Sequence, residues 1–255
     1  MNFVNQMPAK PEIGKCETHG NFEFRYIVFG EKYMVSDQCP SCAKEREEKR
    51  LDEENAKKEA DRIERLNRLK LSCGFSLRNL NASFSDFIAE SPEQSKAKAT
   101  AENYAKHVIE GGAGCLVMVG SVGAGKTMLA TAIGDAFINA GKKCCIVRVS
   151  EMLRDFKDSW RKDSEKSESQ VMDYYSRVGL LIIDEIGIQF GSDTEKNYIF
   201  EVIDNRYQDM KPTVFISNLD VDGVKESIGA RVYDRLKEDG GKVIAFNWES
   251  MRGKK

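Results

Sequence analysis

Cys115-Leu116-Val117-Met118-Val119-Gly120-Ser121-Val122-Gly123-Ala124-Gly125-Lys126-Thr127 decides the fold. Its first five residues are apolar without alternation, as a strand covered on both faces requires. The next eight fit G-x-x-x-x-G-K-[ST] between that strand and a helix opening at Met128, the context that makes the motif specific. Glycines let successive backbone N–H groups turn inward around phosphates, and the helix N-terminus adds positive partial charge. Lys126 reaches β- and γ-phosphates, and the Thr127 hydroxyl is a Mg²⁺ ligand. The expected ligand is therefore ATP with Mg²⁺, held by Gly120, Ser121, Val122, Gly123, Ala124, Gly125, Lys126 and Thr127.

Downstream, Gly179-Leu180-Leu181-Ile182-Ile183-Asp184-Glu185 is a second apolar run that ends in two carboxylates. In an open α/β sheet ligands bind at the carboxyl ends of the strands. Asp184 is expected to hold the Mg²⁺, and Glu185 to orient the attacking water. Five runs read as buried strands: Cys115–Val119, Lys143–Val149, Val178–Asp184, Thr213–Ser217 and Lys242–Phe246. Helical patterns separate them, which predicts an α/β fold with a five-stranded parallel sheet.

The 255 residues divide by composition into three zones. Residues 72–255 carry the α/β domain. Residues 43–71 lack Gly and Pro and mix both charge signs, as a solvated helical linker does. Ile63, Leu66 and Leu69 form a stripe there that could instead dock a partner. Residues 1–42 contain Cys16-Glu17-Thr18-His19 and Cys39-Pro40-Ser41-Cys42, a C-x₂-H and C-x₂-C pair suited to tetrahedral Zn²⁺. Aromatic residues (Phe22, Phe24, Tyr26, Phe29, Tyr33) alternate between the pairs as strands would. The alternative is free thiols in a loop. Cys73, Cys115, Cys144 and Cys145 show no pairing logic and read as packed thiols.

The net charge is −2, so DNA contact by charge alone is not expected. No apolar run approaches the ~20 residues of a membrane helix, and the N-terminus lacks a signal-peptide core. A cytoplasmic location follows, and in a reducing cytosol short-spaced cysteines bind metal rather than pair.

Adjacent Asp184-Glu185 after such a strand resembles the AAA+ pattern. Thr213–Asn218 resembles the sensor-1 strand of that family, which implies that Asn218 helps position the water; an Asn opening a turn is the alternative. Ile228–Leu236 reads as one helix with Ile228, Val232 and Leu236 as its apolar stripe. It resembles the region that presents an arginine to a neighbouring subunit's ATP. The resemblance implies Arg235 for this role, with Arg231 as the alternative, and self-association through ATP. Surface pairing, such as Arg231 with Asp234, is the competing reading.

Within AAA+ proteins, three segments look like the DnaC-type helicase loaders: Asn81–Phe87, Asp184-Glu185-Ile186-Gly187 and Phe246–Arg252. Nine residues follow the last strand, too few for a helical lid, which agrees with the lidless DnaC-type and IstB-type groups. The resemblance implies a Mg-dependent ATPase, stimulated by DNA or a partner, that loads a hexameric replicative helicase onto single-stranded DNA. It also implies an N-terminal zinc module that grips the helicase. The stretch Ser150–Tyr175 corresponds to an extra helical element contacting single-stranded DNA, here through Lys157, Trp160 and Arg161, unless Phe156 and Trp160 are simply core. An IstB-type transposition ATPase and a non-catalytic ATP-bound adaptor are the competing functions.

Overall fold

The segment before residue 67 is too short for a large core and folds as short strands plus the start of one long helix. In the computed structural model, which describes residues 2–4, 12–29, 32–187, 192–238 and 241–251, the chain forms two compact units, Met1–Leu66 and Asn67–Lys255. In the first, β1 (Asn2–Val4), β2 (Ile13–Cys16), β3 (Gly20–Glu23), β4 (Arg25–Phe29) and β5 (Lys32–Ser36) are all antiparallel. They form a β1-β5-β4 sheet and a β2-β3 hairpin. Helix α1 (Pro40–Ser72) starts with proline at its first position, where a missing N–H costs nothing. Cys42 therefore stands on its first turn. Beyond it the exposed face carries paired charges such as Lys44–Glu48 and Arg50–Glu47. Ile63 and Leu69 are each about half exposed.

The second unit takes over the last turns of α1, where Lys70 is buried and holds Asp135 at 2.5 Å and the Leu80 carbonyl at 3.2 Å. Its elements alternate. They are α2 (Pro92–Ile109), β6 (Cys115–Gly120), α3 (Lys126–Asn139), β7 (Cys144–Arg148), α4 (Val149–Asp158), α5 (Glu168–Arg177) and β8 (Leu180–Asp184). There follow α6 (Asp193–Gln208), β9 (Thr213–Ile216), α7 (Val221–Ile228), α8 (Ala230–Lys237) and β10 (Lys242–Phe246). The five strands form one parallel sheet in the order β10-β6-β9-β8-β7. Leu180, Leu181, Ile182 and Ile183 are all fully buried, because helices cover both faces. Val117, Val119, Leu181, Ile183 and Phe215 share one cluster with Met152, Phe156, Val171, Ile199, Val224 and Leu236 of the helices from α4 to α8. The alternate strand residues face the other side, where α2 and α3 pack.

Three expectations need correction. The second and third strands are shorter than Lys143–Val149 and Val178–Asp184. Val149 already opens α4, and Gly179 lies against the Lys143 carbonyl, leaving room for no side chain. The Ile228–Leu236 helix is broken: α7 stops at Ile228 and α8 starts at Ala230, because Gly229 takes φ 82° and ψ 146°, a conformation open essentially to glycine that continues no helix. Ile228 and Leu236 remain buried on either side of the break, joined by Tyr233. The side chains of Phe29, Tyr33, Arg231 and Val232, and all of Arg252, lie outside the described residues.

Candidate nucleotide-binding site and metal centre

Because β6 lies inside the sheet, its carboxyl end opens between those of β9 and β10, and the glycine-rich loop is tied to both. Gly120 N–H donates to the Leu219 carbonyl (3.0 Å) and Ser121 N–H to the Phe246 carbonyl (3.0 Å). The loop then turns into α3, with Gly125 at φ 99° before the first helical residue. A Cβ on Gly125 would stand 2.6 Å from the fully buried Phe87 ring, so that position admits glycine alone. Phe87 is the last residue of the Asn81–Phe87 segment, which places that segment under the loop. Lys126 is 4% exposed and its Nζ donates to the Gly120 and Ser121 carbonyls at 2.7 and 2.8 Å. The ammonium thus stands at the mouth of the loop, where a phosphate would compete for it.

The Asp184 carboxylate meets this loop at the end of β8. Thr127 Oγ1 donates to Asp184 Oδ2 at 3.2 Å. This is close to the ~3 Å between neighbouring oxygens around an octahedral Mg²⁺ with bonds of about 2.1 Å, so the pair fits that ion. Glu185 follows with φ 63°, an uncommon conformation for a non-glycine residue that turns its carboxylate off the strand line. Its Oε2 lies 4.0 Å from Arg148 Nε, at the end of the neighbouring β7, where Arg148 and Asp184 are register partners. Ser217, buried at the end of β9, ties this turn to the loop strand: its N–H donates to the Met118 carbonyl and its hydroxyl to the Ile186 carbonyl at 2.5 Å. Asn218 is the next residue and is exposed. The fold therefore brings Lys126, Thr127, Asp184, Glu185 and Asn218 to one sheet edge.

The two arginine candidates stand differently. Arg235 of α8 is ion-paired with Asp204 of α6, and its guanidinium lies 5.2 Å from the Tyr207 ring centroid. Arg231 precedes it by one turn, and the placement of its side chain lies outside the described residues. In the insertion, Phe156 is fully buried and stacks on Tyr198 at 4.4 Å, so it belongs to the core. Trp160 differs: it is 53% exposed, with Nε1–H on Glu168 at 2.9 Å. Lys157 pairs with Glu195 at 2.5 Å and Arg161 with Asp158 at 3.5 Å.

In the first unit, the tips of the β2-β3 hairpin and the start of α1 bring Cys16, His19, Cys39 and Cys42 together. Their ligand atoms all lie within 4.8 Å of one another. Cys16 Sγ to Cys42 Sγ is 3.4 Å, and His19 Nδ1 lies 3.2 Å from Cys42 Sγ and 3.7 Å from both Cys16 and Cys39 sulfurs. Ligands of a tetrahedral Zn²⁺ with Zn–S bonds of about 2.3 Å stand ~3.8 Å apart, so the four donors fit that ion. His19 Nε2 faces outward and bonds Glu45 at 2.9 Å. Backbone N–H groups of His19 and Thr18 aim at the Cys16 sulfur and hold its thiol down to about 6. By contrast the hydrogen bond with Cys16 pushes Cys42 up to about 11. Of the other cysteines, Cys115, Cys144 and Cys145 are buried and Cys73 is partly so. Burial pushes the Cys145 thiol up to about 11.

Sequence reasoning missed Arg148, Ser217, Glu45 and the contacts of residues 247–251 with the loop. Arg148 had one available signal, a charged residue ending a buried strand at the edge where Asp184 ends another. For the others, partners are set by the fold alone.

Residues 31–255 match the family described as IstB-like ATP binding protein. The replicative helicase loader DnaC of Buchnera aphidicola (subsp. Baizongia pistaciae) is 34% identical over 175 residues, 69% of this chain and 71% of that protein. The replicative helicase loader DnaC of Escherichia coli K12 is 33% identical over 174 residues, 68% and 70%. A crystal structure of the DnaC helicase loader superposes with a TM-score of 0.57 at 21% identity, covering 67% of this chain and 99% of that one, a likeness of fold. With the loop on β6, the carboxylates on β8 and these identities in one unit, the chain belongs to the IstB-like ATP binding protein family and, by identity, to its relatives the DnaC proteins.

Proposed function

We propose that this protein is a cytosolic, ATP-hydrolysing loader that places a hexameric replicative helicase on single-stranded DNA. The observation that carries the reading is the convergence of Lys126, Thr127, Asp184 and Glu185 at one sheet edge in a chain one-third identical to DnaC loaders. Gly120 to Thr127 hold the triphosphate through backbone N–H groups and Lys126. Thr127 and Asp184 hold Mg²⁺, which when bound neutralises charge on the β- and γ-phosphate oxygens. Glu185 accepts a hydrogen bond from the attacking water, and Asn218 aligns it. The water oxygen bonds to the γ-phosphorus as the bridging bond to ADP breaks, and the water's proton leaves through Glu185 to the released phosphate.

Among the described residues no helix is long and apolar enough to cross a membrane. The Cys16, His19, Cys39 and Cys42 site holds a structural Zn²⁺, since four protein ligands leave no open position. We assign residues 1–42 to helicase docking, 43–71 to a helical linker and 72–255 to the ATPase. Copies associate through ATP, with Arg235, or Arg231 one turn earlier, reaching the neighbour's phosphates. Arg235 must exchange Asp204 for that phosphate. Lys157, Trp160 and Arg161 supply two cations and an exposed ring for single-stranded DNA. The exposed Arg161–Asp158 pair contributes about 0–1 kcal/mol, so a DNA phosphate displaces that carboxylate at little cost, whereas Lys157 must leave a Glu195 side chain that is only 14% exposed.

Native mass spectrometry of the protein mixed with its own replicative helicase, with and without ATP, tests the reading. A complex of a helicase hexamer with several copies of this chain supports it. Absence of a complex in both conditions refutes it and favours a transposase as partner.

A further inference from the structure

The carboxyl-terminal stretch after β10 does more than end the sheet. Residues 247–251 turn back over the phosphate loop and bond to it twice. Trp248 Nε1–H donates to the Ala124 carbonyl at 3.0 Å, and Met251 N–H donates to the Gly123 carbonyl at 3.0 Å. The Trp248 ring is half-buried and rests on the fully buried Phe246 ring, 4.9 Å between centroids, so its indole N–H has a fixed direction. Met251 Sδ lies 3.7 Å from where a Gly125 Cβ would stand, on a residue whose other contact is Phe87.

A trans peptide plane carries its C=O and the following N–H on opposite sides, and among the described residues there is no cis bond. The Gly123 carbonyl shares a plane with the Ala124 N–H, and the Ala124 carbonyl shares one with the Gly125 N–H. Holding both carbonyls toward residues 247–251 therefore turns both N–H groups the opposite way. Gly123 and Gly125 leave the outer torsion of each plane soft, while the negative φ of Ala124 limits rotation between them, so a donor on each carbonyl adds to the restraint that Ala124 alone supplies. A concavity of inward N–H groups is what an anion needs.

We propose that residues 247–251 are a positioning element for the phosphate cradle. Trp248 and the Met251 N–H fix the peptide planes of Gly123 and Ala124 so that the Ala124 and Gly125 N–H groups face the nucleotide's phosphates. This rests on the reading of Gly120 to Thr127 as that cradle. It assigns to a distant segment a task usually credited to the loop alone.

The test compares three variants of the full chain. Trp248→Phe keeps an aromatic ring but removes the N–H. Met251→Pro removes the backbone N–H without touching Trp248. Lys126→Ala removes the phosphate-binding ammonium. Fluorescent ATP and ADP titrations with Mg²⁺, steady-state ATPase kinetics, amide NMR of Ala124 and Gly125, and thermal melting are measured on each. One neutral hydrogen bond contributes about 1 kcal/mol, a factor of about five in binding. Trp248→Phe and Met251→Pro are each expected to raise nucleotide Kd and KM about fivefold, with kcat unchanged. They shift the Ala124 and Gly125 amide resonances in the nucleotide-free protein, a signature that general destabilisation would not give. If Lys126→Ala abolishes binding while both tail variants bind like wild type with unmoved amides, the positioning role is overturned and the cradle stands. If Lys126→Ala binds like wild type, both fall. Should Trp248→Phe fail to fold, Met251→Pro decides alone.

Discussion

Arg206 offers the sharpest test of how the insertion is fastened to the sheet. It sits on α6, is 1% exposed, and its partners are neutral oxygens. Nε donates to Thr213 Oγ1 at 2.9 Å and Nη2 to the Pro212 carbonyl at 2.7 Å. Nη1 reaches the carbonyls of Tyr175, Ser176 and Val178 at 2.9, 3.2 and 2.8 Å. Burial lowers the guanidinium to about 10, so it stays charged at neutral pH. The side chain thus caps the carbonyl end of α5, where positive charge is favoured, and ties it to the start of β9. Replacing it in Arg206→Met keeps the stem and deletes all five donor contacts. Each orphaned buried acceptor costs about 1–3 kcal/mol. Relief of the buried charge's desolvation offsets part of this, because an uncompensated guanidinium is costly to bury. The acceptors win, since four of them are backbone carbonyls that cannot leave with the side chain. The net loss should be about 3 kcal/mol, a drop of about 6–12 °C in melting temperature for a domain of this size. Arg206→Lys should recover less than half, because one ammonium cannot span three directions. Urea unfolding should show a lower midpoint at unchanged slope. A stability for Arg206→Met within about 0.5 kcal/mol of wild type, the range of an inert surface change, would mean that these contacts do not hold α5 to the sheet.

Four further outcomes follow from the sites. Glu185→Gln should bind ATP normally and lose about 10²-fold or more in hydrolysis, a scale set by loss of a positioned base; measurable turnover at the wild-type rate contradicts its role. Purified protein should carry one zinc per chain, and Cys39→Ser should lose it together with hydrogen-exchange protection of the β2-β3 hairpin, because so small a unit rarely folds without such a staple; a metal-free hairpin equally protected counts against the site. Arg235→Ala should bind ATP as a lone subunit yet lose the stimulated ATPase of the assembly; full stimulation would move the role to Arg231 or to no arginine. Lys157→Glu with Arg161→Glu should weaken single-strand binding in ATP and flatten its salt dependence; an unchanged affinity leaves the insertion a packing element.

The sheet was legible because its strands are buried on both faces: Leu180 to Ile183 are apolar without alternation, and so are Leu116 to Val119. The glycine-rich loop was legible because phosphate binding constrains residue types at fixed short spacing. The Cys16, His19, Cys39 and Cys42 cluster was legible for the same reason, and the described geometry brings all four together. Length was harder. Lys143 and Val178 look like strand residues, but the pairing of the two strands starts at Cys144 and Leu180, and Gly179 before it packs against the Lys143 carbonyl. The Gly229 break was visible as a residue and hidden as a conformation, since Ile228 and Leu236 keep helical spacing across it and both stay buried. Contacts across long separations carried no local signal. Nothing near Trp248 tells that its indole N–H meets a carbonyl 124 positions earlier, and nothing near Arg235 tells that Asp204 holds it.

The most direct test of the loader assignment is helicase transfer to circular single-stranded DNA, read as hexamer retained on the circle after gel filtration. With ATP and this protein present, retained helicase should exceed the helicase-alone level several-fold, and Lys126→Ala should return it to that level. Equal retention with and without the protein, under conditions where the protein hydrolyses ATP, would contradict the account.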